Sequence, residues 1–226
     1  MHEHAARLQQ DDPGFDGAIL QFPRPAQPGL QWFANLGVGY FPVTAQPYDQ
    51  AYFDRFARQA SEPIGCKLMA GRVAFVAKHY RGLLLDVGIG SGAFIEKRNA
   101  GNLYSTRGFD INPAGIAWLY ARELWCNPYN HAVSAVSMWD VLEHIHDFRP
   151  LLANVKKWLF LSLPIFRDAE HVLRSKHFRK DEHCWYWTRR GLITMLDDLG
   201  FVLIEESNME IEAGREDIGA FAFRRK

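Results

Sequence analysis

The sequence predicts an α/β sandwich on a mostly parallel sheet, closed by an antiparallel C-terminal strand. Two observations carry that expectation. Residues 83–96 read Leu-Leu-Leu-Asp-Val-Gly-Ile-Gly-Ser-Gly-Ala-Phe-Ile-Glu, an apolar run that enters a turn with three alternating glycines. A strand without polar alternation is buried on both faces, as the strands of a parallel sheet are. Further candidate strands at 105–110, 132–139 and 158–164 alternate with helical patterns, the rhythm of strand–helix–strand units.

Taken in order, the chain opens on residues 1–47, which hold Pro13, Pro23, Pro25, Pro28, Pro42 and Pro47 among aromatics such as Phe15, Trp32 and Tyr40. Prolines at that density prevent long helices, so an irregular arm that docks by its aromatics is expected. The main domain then runs over 48–226 and begins with two cap helices within 48–80. In the first, Tyr48, Ala51, Tyr52, Phe56 and Ala60 recur at helical spacing opposite Asp49, Asp54, Arg55 and Arg58. Pro63 ends it, and the second, about 66–80, turns Leu68, Met69, Val73, Val76 and Tyr80 inward. The first strand and its helix follow, then the second strand at 105–110. Asn112 and Pro113 start the next helix, asparagine as cap and proline in the first turn, and the pattern continues to about Trp125. A helix over 141–155 is expected before the strand at 158–164. Thr188 caps a last helix through Leu199, which Gly200 stops. Strands at 201–207 and 218–224, joined by a hairpin-like excursion, end the chain.

With 226 residues, 48% hydrophobic and 23% charged, the composition is that of one globular domain with a substantial core. Lys and Arg number 26 and so do Asp and Glu, so no net field attracts a polyanion and nucleic acid is disfavoured as a partner. Cys66, Cys126 and Cys184 are odd in number and lack paired spacing, which reads as reduced thiols in a cytoplasmic protein. The N-terminal residues lack a basic and apolar leader, and the longest apolar stretch, 158–166, is far short of the ~20 residues of a membrane span. No membrane partner is expected, and a homo-oligomer is compatible with this composition.

Gly88, Gly90 and Gly92 let the backbone bend sharply and lie close against a ligand. Gly88-x-Gly90-x-x-Ala93 also satisfies the dinucleotide fingerprint, with Asp110 near the ~20-residue offset of a ribose-binding acid. A nicotinamide-dependent oxidoreductase is therefore an alternative. Against it stands Asp86, whose carboxylate would repel a pyrophosphate and suits a cationic ligand. Asp86-x-Gly88-x-Gly90-x-Gly92 resembles motif I of the class I S-adenosylmethionine-dependent methyltransferases, and residues 108–113, Gly-Phe-Asp-Ile-Asn-Pro, resemble their second motif. Residues 137–145, Ser-Met-Trp-Asp-Val-Leu-Glu-His-Ile, are similar to the segment after the fourth strand in the subgroup of quinone and small-molecule O-methyltransferases. The resemblance covers roughly residue 82 to the C-terminus and implies a Rossmann-like fold. It also implies S-adenosyl-L-methionine held by Asp86, Gly88, Ile89, Gly90, Gly92, Asp110, Ile111, Asp140 and Val141, with Asp110 accepting from both ribose hydroxyls. One departure is visible: between Trp125 and the strand at 132–139 there is little room for the strand and helix that the family inserts. The third strand is therefore expected to be short or missing.

Methyl transfer from a sulfonium is an in-line displacement by an already activated donor, so alignment of an oxygen or nitrogen nucleophile is the protein's main task. A base helps where the acceptor carries a proton, and histidine is suited to that near neutral pH. His144 and His146 are the candidates. His171, His177, His183 and Cys184 lack the close paired spacing of a zinc site, so no metal is expected. Their segment, rich in aromatic and basic side chains, is expected to be a substrate lid over a small-molecule acceptor, with His177, His183, Trp185 and Trp187 joined by Tyr48 and Tyr52 from the first cap helix. A non-catalytic module that binds S-adenosylmethionine without turnover is the remaining alternative.

Overall fold

A computed structural model describes residues 29–42 and 48–226; the rest of the expected arm, 1–28 and 43–47, lies outside the described residues. In chain order the elements are β1 (Gln31–Phe33), β2 (Val38–Tyr40), α1 (Gln50–Ser61), α2 (Pro63–His79), β3 (Leu84–Val87), α3 (Ala93–Asn99), β4 (Thr106–Phe109) and α4 (Pro113–Tyr120). They continue with β5 (Val133–Trp139), α5 (Arg149–Ala153), β6 (Val155–Phe166), α6 (Ala169–Arg174), β7 (Trp185–Thr188), α7 (Arg189–Asp198), β8 (Phe201–Ser207), α8 (Met209–Glu212) and β9 (Ile218–Arg225). Short polar side chains begin the helices as expected. Asn112 accepts from Ala114 at 3.0 Å and Thr188 from Gly191 at 3.0 Å, satisfying donors that a helix start leaves unpaired; Asp49, expected on the polar face within the first cap helix, is instead its cap and accepts from the Tyr52 N–H at 2.8 Å.

Strands β4, β3, β5 and β6 pair in parallel in that order. β9 runs antiparallel on the other flank of β6, and β8 antiparallel on β9. Period-two alternation divides the side chains between two faces. Leu84, Ala135, Phe160 and Ala222 pack with Phe75 and Val76 of α2. Leu85, Val87, Val136, Met138, Leu159, Leu161, Phe221 and Phe223 pack with α5 and α7. No helix among the described residues is long and apolar enough to cross a membrane.

The third strand is reduced to a single parallel bridge between Trp125 and Gly108, held by Gly108 N–H to the Leu124 carbonyl and Cys126 N–H to the Gly108 carbonyl, both 2.9 Å. Other expectations are corrected. The helix expected over 141–155 is broken into a 3-10 turn at Leu142–His144 and the short α5, because Pro150 favours a first helical turn and disfavours helix ahead of itself. The helix expected to reach Trp125 ends at Tyr120. Part of the irregular arm is ordered: β1 and β2 form a hairpin whose second strand pairs antiparallel with β7. Gly37, at φ +65°, makes the turn, and its carbonyl accepts from the Thr188 N–H at 2.8 Å. The expected lid is not a loop throughout, since β7 extends the sheet through a parallel pairing with the end of β6, with Trp185 3% and Trp187 0% exposed.

Candidate functional site

The glycine turn leaves β3 at the carboxyl edge of the sheet. Gly88, Gly90 and Gly92 have φ of +70°, +57° and +82°, where a side chain costs about 1–2 kcal/mol. Their surroundings differ. A Cβ on Gly88 would lie 2.4 Å from Val141 Cγ2, and one on Gly92 would lie 2.6 Å from the Trp118 ring, whereas one on Gly90 would make an ordinary 3.6 Å contact with Phe56. Gly88 and Gly92 thus serve packing as well as backbone geometry, while Gly90 serves the backbone. Ile89 between them is buried with Ile95 and Leu119, and its carbonyl accepts from the Gly92 N–H at 2.8 Å.

Two carboxylates underlie the turn. Asp86 is buried and accepts from the Ser137 hydroxyl at 2.6 Å. Burial pushes its carboxyl up to about 8, opposed by Ser137 and Arg72. Asp110, at the end of β4, accepts from the Asn112 N–H at 2.8 Å. Burial raises it too, against the N–H groups of Asn112, Ile111, Ile89 and Gly90. Beside it, Ile111 is 62% exposed, an apolar surface next to a buried acceptor. Asn112 Nδ2 donates to the Asp49 carbonyl at 3.1 Å, which ties the start of α1 to the same edge.

After β5, Asp140 takes φ +59° and pairs with Arg72 (3.2 Å) and Arg215 (2.9 Å), both of which also bind the buried Glu210. Burial alone would raise Asp140, but the two guanidiniums outweigh it and hold the carboxyl below its ordinary value. Sequence reasoning missed this network. Its signal was an arginine, Arg72, on the apolar face of α2 between Met69 and Phe75, a position that long charged side chains rarely take without a partner.

His144 follows at the 3-10 turn, its Nδ1 3.4 Å from the Tyr48 hydroxyl and its ring edge-on to His183 with centroids 4.6 Å apart. Burial lowers both imidazoles, His183 to about 3, so both are neutral and keep a lone pair at working pH. Tyr48, Tyr52 and Phe56 form an aromatic ladder with successive centroids 4.8 Å apart, which reaches Gly90 through Phe56. Burial raises the Tyr52 phenol to about 12. The structure therefore brings Tyr48, Tyr52, His144 and His183 together beside the turn. It does not bring His146, His177 or Trp187 there: His146 contacts the Tyr40 hydroxyl at 3.2 Å, His177 meets the Glu216 carbonyl at 2.9 Å, and Trp187 packs in the main core. Trp185 donates to the carbonyls of Ile145 and His146, buttressing the segment from behind. One donor atom each from Glu143, His144 and His183 falls within 4.8 Å of the others. An open cavity of about 760 Å³ lies elsewhere, past the ends of β6 and β7, lined by Arg167, His171, Arg190 and Asp217 among others.

The sequence model of a methyltransferase domain matches residues 56–206, two thirds of the chain. No curated protein matches the sequence significantly. Among solved structures, magnesium protoporphyrin IX methyltransferase from Synechocystis PCC 6803 with bound SAH aligns with a TM-score of 0.54 at 16% identity, over 78% of this chain and 95% of that one. The 1,6-didemethyltoxoflavin-N1-methyltransferase of Burkholderia thailandensis, with bound 1,6-didemethyltoxoflavin and S-adenosylhomocysteine, gives 0.51 at 13% identity, over 86% and 98%. The cyclase SpnF gives 0.55 at 12%, over 81% and 98%. At these identities the likeness is one of fold, and a fold does not dictate a reaction. With the domain match spanning the glycine turn, Asp110 and the Glu143-His144 segment, the chain belongs to the methyltransferase-domain family, of the class I S-adenosylmethionine-dependent type.

Proposed function

We propose that the protein transfers the methyl group of S-adenosylmethionine to an oxygen or nitrogen nucleophile of a small-molecule acceptor bound between the glycine turn, α1 and the Leu142–His144 turn. The residues present fit the cofactor. Three glycines at positive φ let the backbone of the turn lie close against a ligand, the Asp110 carboxylate stands at the ribose position that the motif implies, and exposed Ile111 offers an apolar face for a base. Asp86, buried on Ser137, and Asp140, paired with Arg72 and Arg215, brace the backbone on either side of the turn, and Val141 packs on Gly88. When bound, the cofactor supplies an activated methyl; the chain's own residues orient the acceptor and remove its proton.

The observation that carries the reading is the contact between Tyr48 and His144. It joins the helix lying over the turn to a neutral imidazole three residues beyond Val141, where a proton acceptor is needed. Neutral His144 takes the acceptor's proton, and Tyr48 with Tyr52 excludes water. His144→Ala is expected to lower turnover by about 10²–10⁴-fold, the usual contribution of a general base, and to leave S-adenosylhomocysteine affinity unchanged in calorimetry. The acceptor is sought by radiolabelled-methyl transfer into cell extract. Undiminished turnover in His144→Ala would remove the proton role. Tight cofactor binding with no methylated product from any extract would favour the non-catalytic module.

A further inference from the structure

The Cys184 N–H donates to the Glu143 carbonyl at 2.9 Å and its thiol to the same oxygen at 3.2 Å. This tie between the start of β7 and the 3-10 turn sets His183 against the Glu143-His144 pair. Glu143 is 1% exposed and His183 3%. Yet among the described residues neither carboxylate oxygen of Glu143, nor Nδ1 of His183, has a hydrogen-bond partner. An ionised carboxylate buried without a partner is disfavoured by several kcal/mol. The nearby guanidiniums are taken: Arg215 binds Asp140 and Glu210, and Arg179 binds Glu182. A positive group that also accepts nitrogen lone pairs would satisfy both side chains at once, with His144 beside them.

We propose that Glu143, His144 and His183 form a binding site for a divalent transition-metal cation of the zinc class. Two imidazoles and one carboxylate are a donor set that zinc and its first-row neighbours accept, with a coordination position left open, whereas calcium and magnesium prefer oxygen throughout. The three donor atoms lie within 4.8 Å of one another, against about 3.4 Å in a tetrahedral site with bonds of about 2.1 Å. Side-chain rotation closes the difference: the Glu143 carboxylate and His183 Nδ1 have no side-chain partner to give up, and His144 exchanges one of its contacts, with the Tyr48 hydroxyl or the Glu182 backbone, for the cation. The site shares His144 with the function proposed above and rests on that reading only for one consequence: an imidazole lone pair held by a cation cannot accept a proton, so occupancy slows methyl transfer.

The test uses the full chain, stripped with chelator and titrated with cobalt(II) by visible absorption, followed by displacement with zinc(II). One equivalent is expected to bind, and Glu143→Gln and His183→Ala each to weaken it about tenfold or more, the scale of disturbing a metal's ligand set. Both variants keep His2 and His4, so a loss identifies this site rather than the N-terminal histidines. X-ray absorption of zinc-loaded wild type needs no variant and is expected to count two imidazoles. No cobalt binding, unchanged binding in both variants, or fewer than two imidazoles overturns the site. Methyl transfer by a protein that binds no metal would leave the proposed function standing, and metal binding without methyl transfer would leave the site standing.

Discussion

Three glycines that look alike in sequence act through different neighbours, and substitution separates them. Alanine at Gly90 meets Phe56 at an ordinary distance and suffers from its φ alone, whereas alanine at Gly88 also collides with Val141. Overpacking of that kind costs about 1–3 kcal/mol, so Gly88→Ala is expected to unfold at lower urea than Gly90→Ala. Gly90→Val is expected to stay folded and lose S-adenosylhomocysteine binding by calorimetry; a folded variant with wild-type affinity removes the turn from the cofactor site. Asp86 gives a pH test. Its carboxyl is raised to about 8 by burial, with Ser137, Arg72 and Arg98 opposing and Asp110 reinforcing. A raised folded value means that its proton stabilises the fold fully below the unfolded value near ~4 and that this contribution is lost as pH rises through about 8. Urea melts of the cofactor-free protein are therefore expected to show stability falling across that window, and Asp86→Asn to flatten the fall. Parallel pH profiles for the two proteins would contradict it.

The strand and helix starts were legible where local chemistry decides them. Asn112 and Thr188 cap helices as their side chains dictate, and the two closing strands begin at Phe201 and Ile218 as expected. What the sequence hid depends on tertiary pairing. The segment before β7 carries histidines, basic residues and polar turns that read as a loop, and its last four residues join the sheet only because the end of β6 and the hairpin strand β2 flank them. The hairpin itself was hidden by its prolines, which lie outside its two three-residue strands. Likewise the Arg72 network needs Glu210 and Arg215 from the far end of the chain, and periodicity is blind to such partners. The revised place of Trp187 changes its test. A fully buried indole cut to alanine costs about 3–5 kcal/mol, so Trp187→Ala is expected to lower the urea midpoint sharply. Unchanged stability with reduced turnover would restore it to the acceptor pocket.

Over the described residues, the sheet supplies a carboxyl edge, and the β1–β2 hairpin and α1 are attached to it in different ways. The hairpin is fastened: a Cβ on Gly191 would meet the Gly37 carbonyl at 2.2 Å, so backbone packs on backbone there, and β7 is denied an exposed edge. Helix α1 is held differently. None of its residues is buried, and it rests on α2, on the Asn112 bond to Asp49 and on the contact of Tyr48 with His144. A helix with so little burial belongs to the low-stability end of a fold, from which closing elements are drawn. Phe56 already touches the space above Gly90, so a cofactor lying on the turn has to shift the ladder and then give it a new surface to pack on. Arg55 and Arg58 are exposed on this helix and offer trypsin its sites. Cleavage there is expected to slow when S-adenosylhomocysteine is added, while cleavage at exposed basic sites far from the turn, such as Lys156, keeps its rate. Replacing Tyr48 by phenylalanine should remove part of the protection without abolishing cofactor binding, because the glycine turn is untouched. Equal cleavage at Arg55 and Arg58 with and without the ligand would mean that α1 is a fixed brace, and the acceptor pocket would then have to be closed from the side of His183 alone.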